Sequence, residues 1–406
     1  MNTGVSPEEQ RVIDTLSGCR GLVLAQVESW SSVNSGSRNL GGLATMAAHL
    51  SEAFSQLGTV SLRDPSPIEA VGTDGVTRPL AHGQNLHVAR PNPDATCRVL
   101  LTGHMDTVFA VDHPFQTLRW LDADTLNGPG TADMKAGIAV MLSALSAVAT
   151  SPFAENLSWE IVINSDEEVS SLGSAALLAE CAKRADVGLT YEPALPDGTL
   201  AGARKGSGNF SAVVTGRAAH AGREPERGRN AIVAAADLTL HLAALVRDGL
   251  SVNVAKVDGG GPNNIVPDLA VVRFNVRPST LADQAAVEAA IAEIAAAIAA
   301  QHEVSVHMHG SFARPPKPMD TNQRRLFELV KVCGADLGLP IGWRDTGGVC
   351  DGNNLAAHGL PVVDTLGPRG GAIHSADEFL CVDSLEERAK LSALLLMRLA
   401  QGRLPT

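Results

Sequence analysis

The feature that most limits how this chain can fold is an alternation of apolar runs between residues 98 and 192. "RVLLTG" (98–103), "SWEIVIN" (158–164) and "VGLTYE" (187–192) have strand length. Between them, "MKAGIAVMLSALSAVAT" (134–150) and "LGSAALLAECAKR" (172–184) have helix length. Strand, helix, strand, helix, strand at these lengths predicts parallel strands joined by crossover helices. The fold class is therefore α/β, with a mixed, mainly parallel sheet.

From about Arg204 the texture changes. "GNFSAVVTG" (208–216) and "DLAVVRFNVRP" (268–278) alternate like half-exposed strands, with a helical "NAIVAAADLTLHLAALV" (230–246) between them. An Ala-rich helix (285–300) and the strand "EVSVHMHG" (303–310) follow. This pattern predicts a small α+β unit with a one-sided antiparallel sheet. "ARPPKP" (313–318) reads as a linker, after which a helix, the strand "PVVDTLG" and a last helix resume the first pattern. At 406 residues the chain exceeds one ordinary core. We expect a catalytic domain over 1–203 and 315–406, interrupted by an inserted α+β domain over 204–314. Residues 7–28 and 40–57 are expected to be amphipathic helices.

Composition removes several functional classes. The net charge of −12 comes without a basic stripe, which argues against nucleic acid and anionic membrane as partners. No apolar stretch has the length of a bilayer span, and "MNTGVSPEEQ" lacks the features of a signal peptide, so a cytoplasmic location is expected. The cysteines at 19, 97, 181, 333, 350 and 381 are scattered and read as reduced thiols.

In an open parallel sheet, ligands bind beyond the carboxyl ends of the strands. Here each apolar run ends in polar residues. "LLTG" leads into His104 and Asp106, "EIVINS" into Asp166, Glu167 and Glu168, and "GLTY" into Glu192. Asp133 in "GPGTADMKAG" precedes a helix, and His374 in "GAIHSAD" follows a late strand. Any one of these carboxylates is most simply a helix cap or a solvated loop residue. Five segments converging on one sheet edge are harder to explain that way. Crowded carboxylates repel and tend to protonate when buried, and a divalent metal removes that problem. Two His and several Asp/Glu without a nearby Cys suit zinc, cobalt or manganese. The adjacent Glu167 and Glu168 allow a division of labour, one holding metal and the other moving protons.

The stretches "GHMDTV", "NGPGTADMKAG", "NSDEEVSSLGS", "YEP", "GRAAHAG" and "GAIHSADEF" together resemble the M20 family of zinc metallopeptidases. "AGREPERGRNA" and "GPNNIVPD" are similar to its carboxypeptidase G2 (glutamate carboxypeptidase) branch. The resemblance implies two Zn2+ per subunit, with Co2+ or Mn2+ as possible substitutes. His104 and Glu192 would hold one ion, Glu168 and His374 the other, and Asp133 would bridge them. Asp106 would hydrogen-bond the His104 imidazole, and Glu167 would be the general base and acid. The Asp133–Met134 bond is expected to be cis. The inserted domain would serve as a lid and dimerisation domain, with His220 reaching the active site of a partner copy in a homodimer. Asn264, Arg277 and Arg314 would bind the carboxylate of a small-molecule substrate, and Gly347 and Gly348 would line that end of the pocket. Cys350 stands where many members carry Ser or Thr.

The implied activity is hydrolysis of an amide bond next to a free C-terminal carboxylate, on dipeptides or N-acyl amino acids. An N-acyl-amino-acid deacylase is the alternative within enzymes. A metal-binding protein without catalysis would lack the base or a ligand, yet all are present. A nucleotide-binding α/β protein would need a glycine fingerprint after the first strand, and "TGHMD" is not one.

Overall fold

The computed structural model describes residues 4–404. Its central element is a six-stranded sheet ordered Thr59–Arg63, Asn85–Arg90, Leu157–Asn164, Cys97–His104, Val187–Thr190, Val362–Val363. The last four strands run parallel, and the first two add antiparallel edges. The sheet is thus mixed and mainly parallel on its functional side, as expected.

Neighbouring residues on the central strands belong to different cores. Val99, Leu101, Ile161 and Ile163 pack with the helices Ala136–Ala149 and Ser384–Ala400. Leu100 and Val162 pack on the other face, with Leu177, Leu178 and Cys181 of the helix Ala175–Ala182. Both faces are covered, which is why these strands read as continuous apolar runs. Helix Ala136–Ala149 lies so close to the sheet that a Cβ at Gly137 would stand 1.9 Å from the Tyr191 carbonyl oxygen. The stretch Thr131–Ala149 is long and apolar enough to cross a membrane by composition, but 78% of it is buried in this core.

Residues 207–314 build a second sheet of four antiparallel strands, ordered Leu250–Gly259, Leu269–Pro278, Ser207–Thr215, Ser305–Arg314. Helices Ala231–Ala243 and Leu281–His302 cover one face and form a separate core with Ala212, Val214, Val272 and Phe274. The other face turns toward the first sheet. There the hairpin Ile68–Val71/Thr77–Leu80 reaches across, with the place of a Gly75 Cβ 2.9 Å from Val213 Cγ1 and Arg273 donating to the Val71 carbonyl at 3.0 Å.

Local expectations need correction in places. The helix expected over 7–28 is two helices, Pro7–Thr15 and Arg20–Ser31, broken where Gly18 takes φ +81°. The strand Leu250–Gly259 was not anticipated because most of its residues are exposed and no apolar run marks it. "ARPPKP" is not a free linker. Its Arg314 ends a strand, and Lys317 pairs its backbone with Arg204.

Candidate metal and catalytic site

Five strand ends and loops meet beyond the carboxyl edge of the first sheet. His104 closes the strand Cys97–His104, Glu192 follows Val187–Thr190, and Glu167 and Glu168 open a single turn after Leu157–Asn164. Asp133 lies in the helical turn Thr131–Lys135, and the Asp133–Met134 peptide is cis. His374 sits on a loop at φ +62°, an uncommon region for a residue of its kind, with its side chain 55% exposed.

His104 Nε2 lies 3.0 Å from Asp133 Oδ1 and 3.8 Å from Glu192 Oε2. His374 Nε2 lies 3.3 Å from Asp133 Oδ2 and 3.1 Å from Glu168 Oε2. Asp133 therefore turns one oxygen to each histidine. Two triads result, His104/Asp133/Glu192 and Asp133/Glu168/His374, with the ligating atoms of each within 4.8 Å of one another. The donor set suits divalent cations. Burial pushes Glu168 up to about 7, with repulsion from Asp133 adding to it, and burial likewise raises Glu192. Hydrogen bonds to Asp133 and Glu168 push the His374 imidazole up to about 11. Glu192 Oε1 is buried without a hydrogen-bond partner among the described residues. Oxygen and imidazole donors with no thiol match zinc-type chemistry.

The surroundings fix these groups. His104 Nδ1 lies 3.0 Å from the Asp106 carbonyl oxygen, a contact that assigns the proton to Nδ1 and leaves Nε2 for the triad. The Asp106 carboxylate is 3.5 Å from that ring nitrogen. Its hydrogen bonds run instead to the Glu167 amide (3.1 Å), the Glu168 amide (3.2 Å) and Ser37 Oγ (2.7 Å). Asp106 thus orients the Glu167–Glu168 turn more directly than the imidazole.

Sequence reasoning missed several supporting residues. Glu378 accepts from the Ala132 and Asp133 amides, both at 3.0 Å, and so holds the turn that carries Asp133. Buried Lys135 donates to the carbonyls of Trp30 and Val33, tying that turn to the end of helix Arg20–Ser31. Glu378 lies in "GAIHSADEF" and Lys135 in "TADMKAG", so the signal was their place in stretches already singled out.

Glu167 is buried beside the triads, and its carboxylate meets Arg314 at 2.7 Å. Arg314 also donates to the Glu167 carbonyl (2.7 Å) and Ser171 Oγ (2.8 Å). Arg314 is thus held against the base and its turn, and it also lines the cleft over the triads. It is 5% exposed and its terminal NH2 is engaged by the base and its turn.

A cleft of about 800 Å3 opens over the triads, with Glu167, Glu168, Glu192 and His374 on one wall and the second sheet on the other. Arg277 lines it, donating to Asn275 Oδ1 and to the Gly347 carbonyl, both at 3.0 Å. Gly348 also lines the cleft, from the loop after the strand Trp343–Thr346, whereas Gly347 is not among its lining residues. Cys350 is buried and accepts from the Gly352 amide as the cap of helix Asp351–Ala357. His220 and Asn264 are not brought to the cleft of their own chain. They lie exposed on the paired strands Ala219–His220 and Ile265–Val266 and their adjoining loop, where the Asn264 carbonyl accepts from the Ala221 amide at 2.9 Å. A further cluster, His87/Glu160/Cys181, has ligand-type atoms equally close. There Arg184 takes both Glu160 oxygens, at 2.8 and 2.6 Å, and makes the cluster a salt-bridge network.

Comparison with known proteins agrees with this architecture. Carboxypeptidase G2 of Pseudomonas sp. (strain RS-16) is 28% identical over 390 residues, spanning 94% of this chain and 90% of that protein. Succinyl-diaminopimelate desuccinylase of Psychrobacter sp. (strain PRwf-1) is 28% identical over 346 residues, 79% of this chain and 84% of that one. In fold, a tripeptidase of Staphylococcus aureus superposes with a TM-score of 0.72 at 22% identity, covering 94% of this chain and 99% of the other. Residues 100–398 match the description of peptidase family M20/M25/M40. A match over most of the chain, on a fold that gathers two metal-type triads, assigns the protein to peptidase family M20/M25/M40 as one of its metal-dependent hydrolases.

Proposed function

We propose that the protein hydrolyses an amide bond next to a free carboxylate, acting on dipeptides or N-acyl amino acids as a carboxypeptidase-type enzyme. The observation that carries this reading is one cleft with a buried carboxylate, Glu167, beside the triads and Arg277, free of any carboxylate partner among the described residues, on the opposite wall. His104 and Glu192 would hold one zinc, Glu168 and His374 a second, and Asp133 both. When bound, the ions polarise the scissile carbonyl and lower the pKa of the attacking water toward ~7.

Glu167 takes the proton from that water and delivers it to the leaving amine. Arg314 and the Asp106 contacts to the Glu167–Glu168 turn keep the base in place. Arg277, whose fork suits bidentate binding, receives the substrate carboxylate. Residues 204–314 act as a lid that brings Arg277 over the triads and excludes water. His220 and Asn264, exposed away from their own cleft, serve a second copy in a homodimer.

The test is amine release from a panel of N-acyl amino acids and dipeptides with zinc or cobalt present. Loss of turnover in Glu167→Gln, with metal content unchanged, and a raised KM in Arg277→Ala support the reading. Full activity in Glu167→Gln refutes it. The relative named a desuccinylase favours a second reading, deacylation of N-acyl amino acids. Indifference to the amino acid with a strict demand on the acyl group would select that one.

A further inference from the structure

The wall of the cleft formed by the second sheet carries a ladder of side-chain amides. Asn209 and Asn253 each stand opposite Asn275 in the strand register, so three amides cross three strands in one row. Ser251 stands opposite Arg277 in the next row, two residues along. All five line the cleft. Asn275 is fixed by its bonds to Ser207 Oγ (2.9 Å) and Asn209 Oδ1 (2.8 Å), and Asn209 reaches Ser170 Oγ at 3.0 Å. Asn253 and Ser251 remain exposed to the cleft and keep their hydrogen-bonding capacity open.

We propose that Asn253, set opposite Asn275 and flanked by Ser251, forms the subsite that selects the side chain of the leaving amino acid, and that it takes a neutral side chain ending in an amide or hydroxyl. This inference rests on the reading that Arg277 receives the substrate carboxylate. Rows two residues apart along a strand are about 7 Å apart. A carboxylate on Arg277 therefore places the side chain of the same amino acid within reach of Asn253. An amide offers both a donor and an acceptor, and so pairs fully with another amide. A carboxylate only accepts and would leave the Asn253 carbonyl oxygen unpaired. On this sheet Arg273 is already engaged by Asp258 and the Val71 carbonyl, and Arg314 by Glu167; of the other arginines lining the cleft, Arg204 is held by Asp364 and Arg344 stands on the strand Trp343–Thr346, outside the amide row. No Phe, Tyr or Trp lines the cleft among the described residues, so nothing there stacks on an aryl side chain.

The test measures kcat/KM on N-acetyl amino acids and Ala-X dipeptides with X = Gln, Asn, Glu, Leu and Phe, using the metal-loaded full chain. Wild type should prefer Gln or Asn over Leu and Phe by at least tenfold, and over Glu by several-fold. Asn253→Leu should reduce the Gln-over-Leu ratio about tenfold, mainly through KM. Ser311→Ala, in the same row but outside the cleft, should keep the ratio. A wild-type preference for Glu, Leu or Phe overturns the proposal, as does an Asn253→Leu ratio equal to wild type. If Arg277→Ala leaves KM unchanged while Asn253→Leu shifts the ratio, the subsite stands and the carboxylate reading fails. No turnover of any member removes both.

Discussion

Asp364 is fully buried between two cations, and replacing it should be far more costly than removing one of them. Arg204 Nε and NH2 lie 2.7 and 3.3 Å from its oxygens, and Lys317 Nζ lies at 2.7 Å. Burial works to raise the Asp364 carboxyl, but Arg204 and Lys317 outweigh it and hold it below the ordinary range. The triad also sits where the chain enters and leaves the second sheet. The backbones of Arg204 and Lys317 exchange two hydrogen bonds, at 2.9 and 3.0 Å. Asp364→Asn keeps the volume and strands two buried cations, a loss of about 3–5 kcal/mol. Lys317→Met removes the surplus cation and leaves a two-point Arg204–Asp364 pair. It loses one charge-assisted bond but relieves a buried ammonium, for a net cost of about 1 kcal/mol. The double variant should be more stable than Asp364→Asn alone by about 1–2 kcal/mol, because the residues are in contact and their effects do not add. Urea unfolding followed by tryptophan fluorescence and circular dichroism measures all three. Lys317→Met matching or exceeding Asp364→Asn, or Asp364→Asn within about 1 kcal/mol of wild type, would refute the reasoning.

Three further outcomes are expected. Burial works to raise Glu160, but hydrogen bonds from Arg184 and His87 outweigh it and hold it at about 2. A depressed folded-state value stabilises the protein above the ordinary Glu range and loses that stabilisation as pH falls toward 2. The full difference is about 3 kcal/mol, reduced to about 1–2 by solvent screening at this partly exposed group. Glu160→Gln should therefore be less stable than wild type at pH 7, with the gap closing between pH 5 and 2; a gap independent of pH contradicts this. Glu378→Ala removes the acceptor for the Ala132 and Asp133 amides and should weaken zinc binding about 10–100-fold in equilibrium dialysis against a competing chelator. Glu378→Gln, which keeps an acceptor, should lose less, and equal affinities in all three proteins would exclude the role. Gly137→Ala forces a Cβ to 1.9 Å from the Tyr191 carbonyl and should cost about 2–4 kcal/mol in thermal or urea unfolding, where a surface-like change would cost almost nothing.

The residues brought to the sheet edge were legible because they sit at the ends of locally recognisable elements. His104, Glu167, Glu168 and Glu192 each follow an apolar run, and a run buried on both faces is marked by its own composition. Helix Leu281–His302 was legible instead from its Ala, Ile and Glu content, although only a stripe at Val287, Ile291, Ala295 and Ile298 is buried, and the last helix from its own apolar run. The strand Leu250–Gly259 was not, since most of its own residues are exposed and no apolar run marks it before it pairs with Leu269–Pro278.

The sequence by itself determined the alternation of strands and helices, the carboxyl-end placement of the polar residues, and the resemblance that assigned roles to them. Only the tertiary structure decided which groups meet. It turned one Asp133 oxygen to each histidine, gave Asp106 to the Glu167–Glu168 turn, placed Arg314 on Glu167, and kept His220 and Asn264 away from their own cleft. It also joined Arg204 to Asp364 across 160 residues and set three asparagines in one row. The reason is physical. Periodicity and capping act over a few neighbouring residues, whereas a hydrogen bond or ion pair between distant segments exists only after the sheet register and the packing of both cores have brought its atoms within about 3 Å.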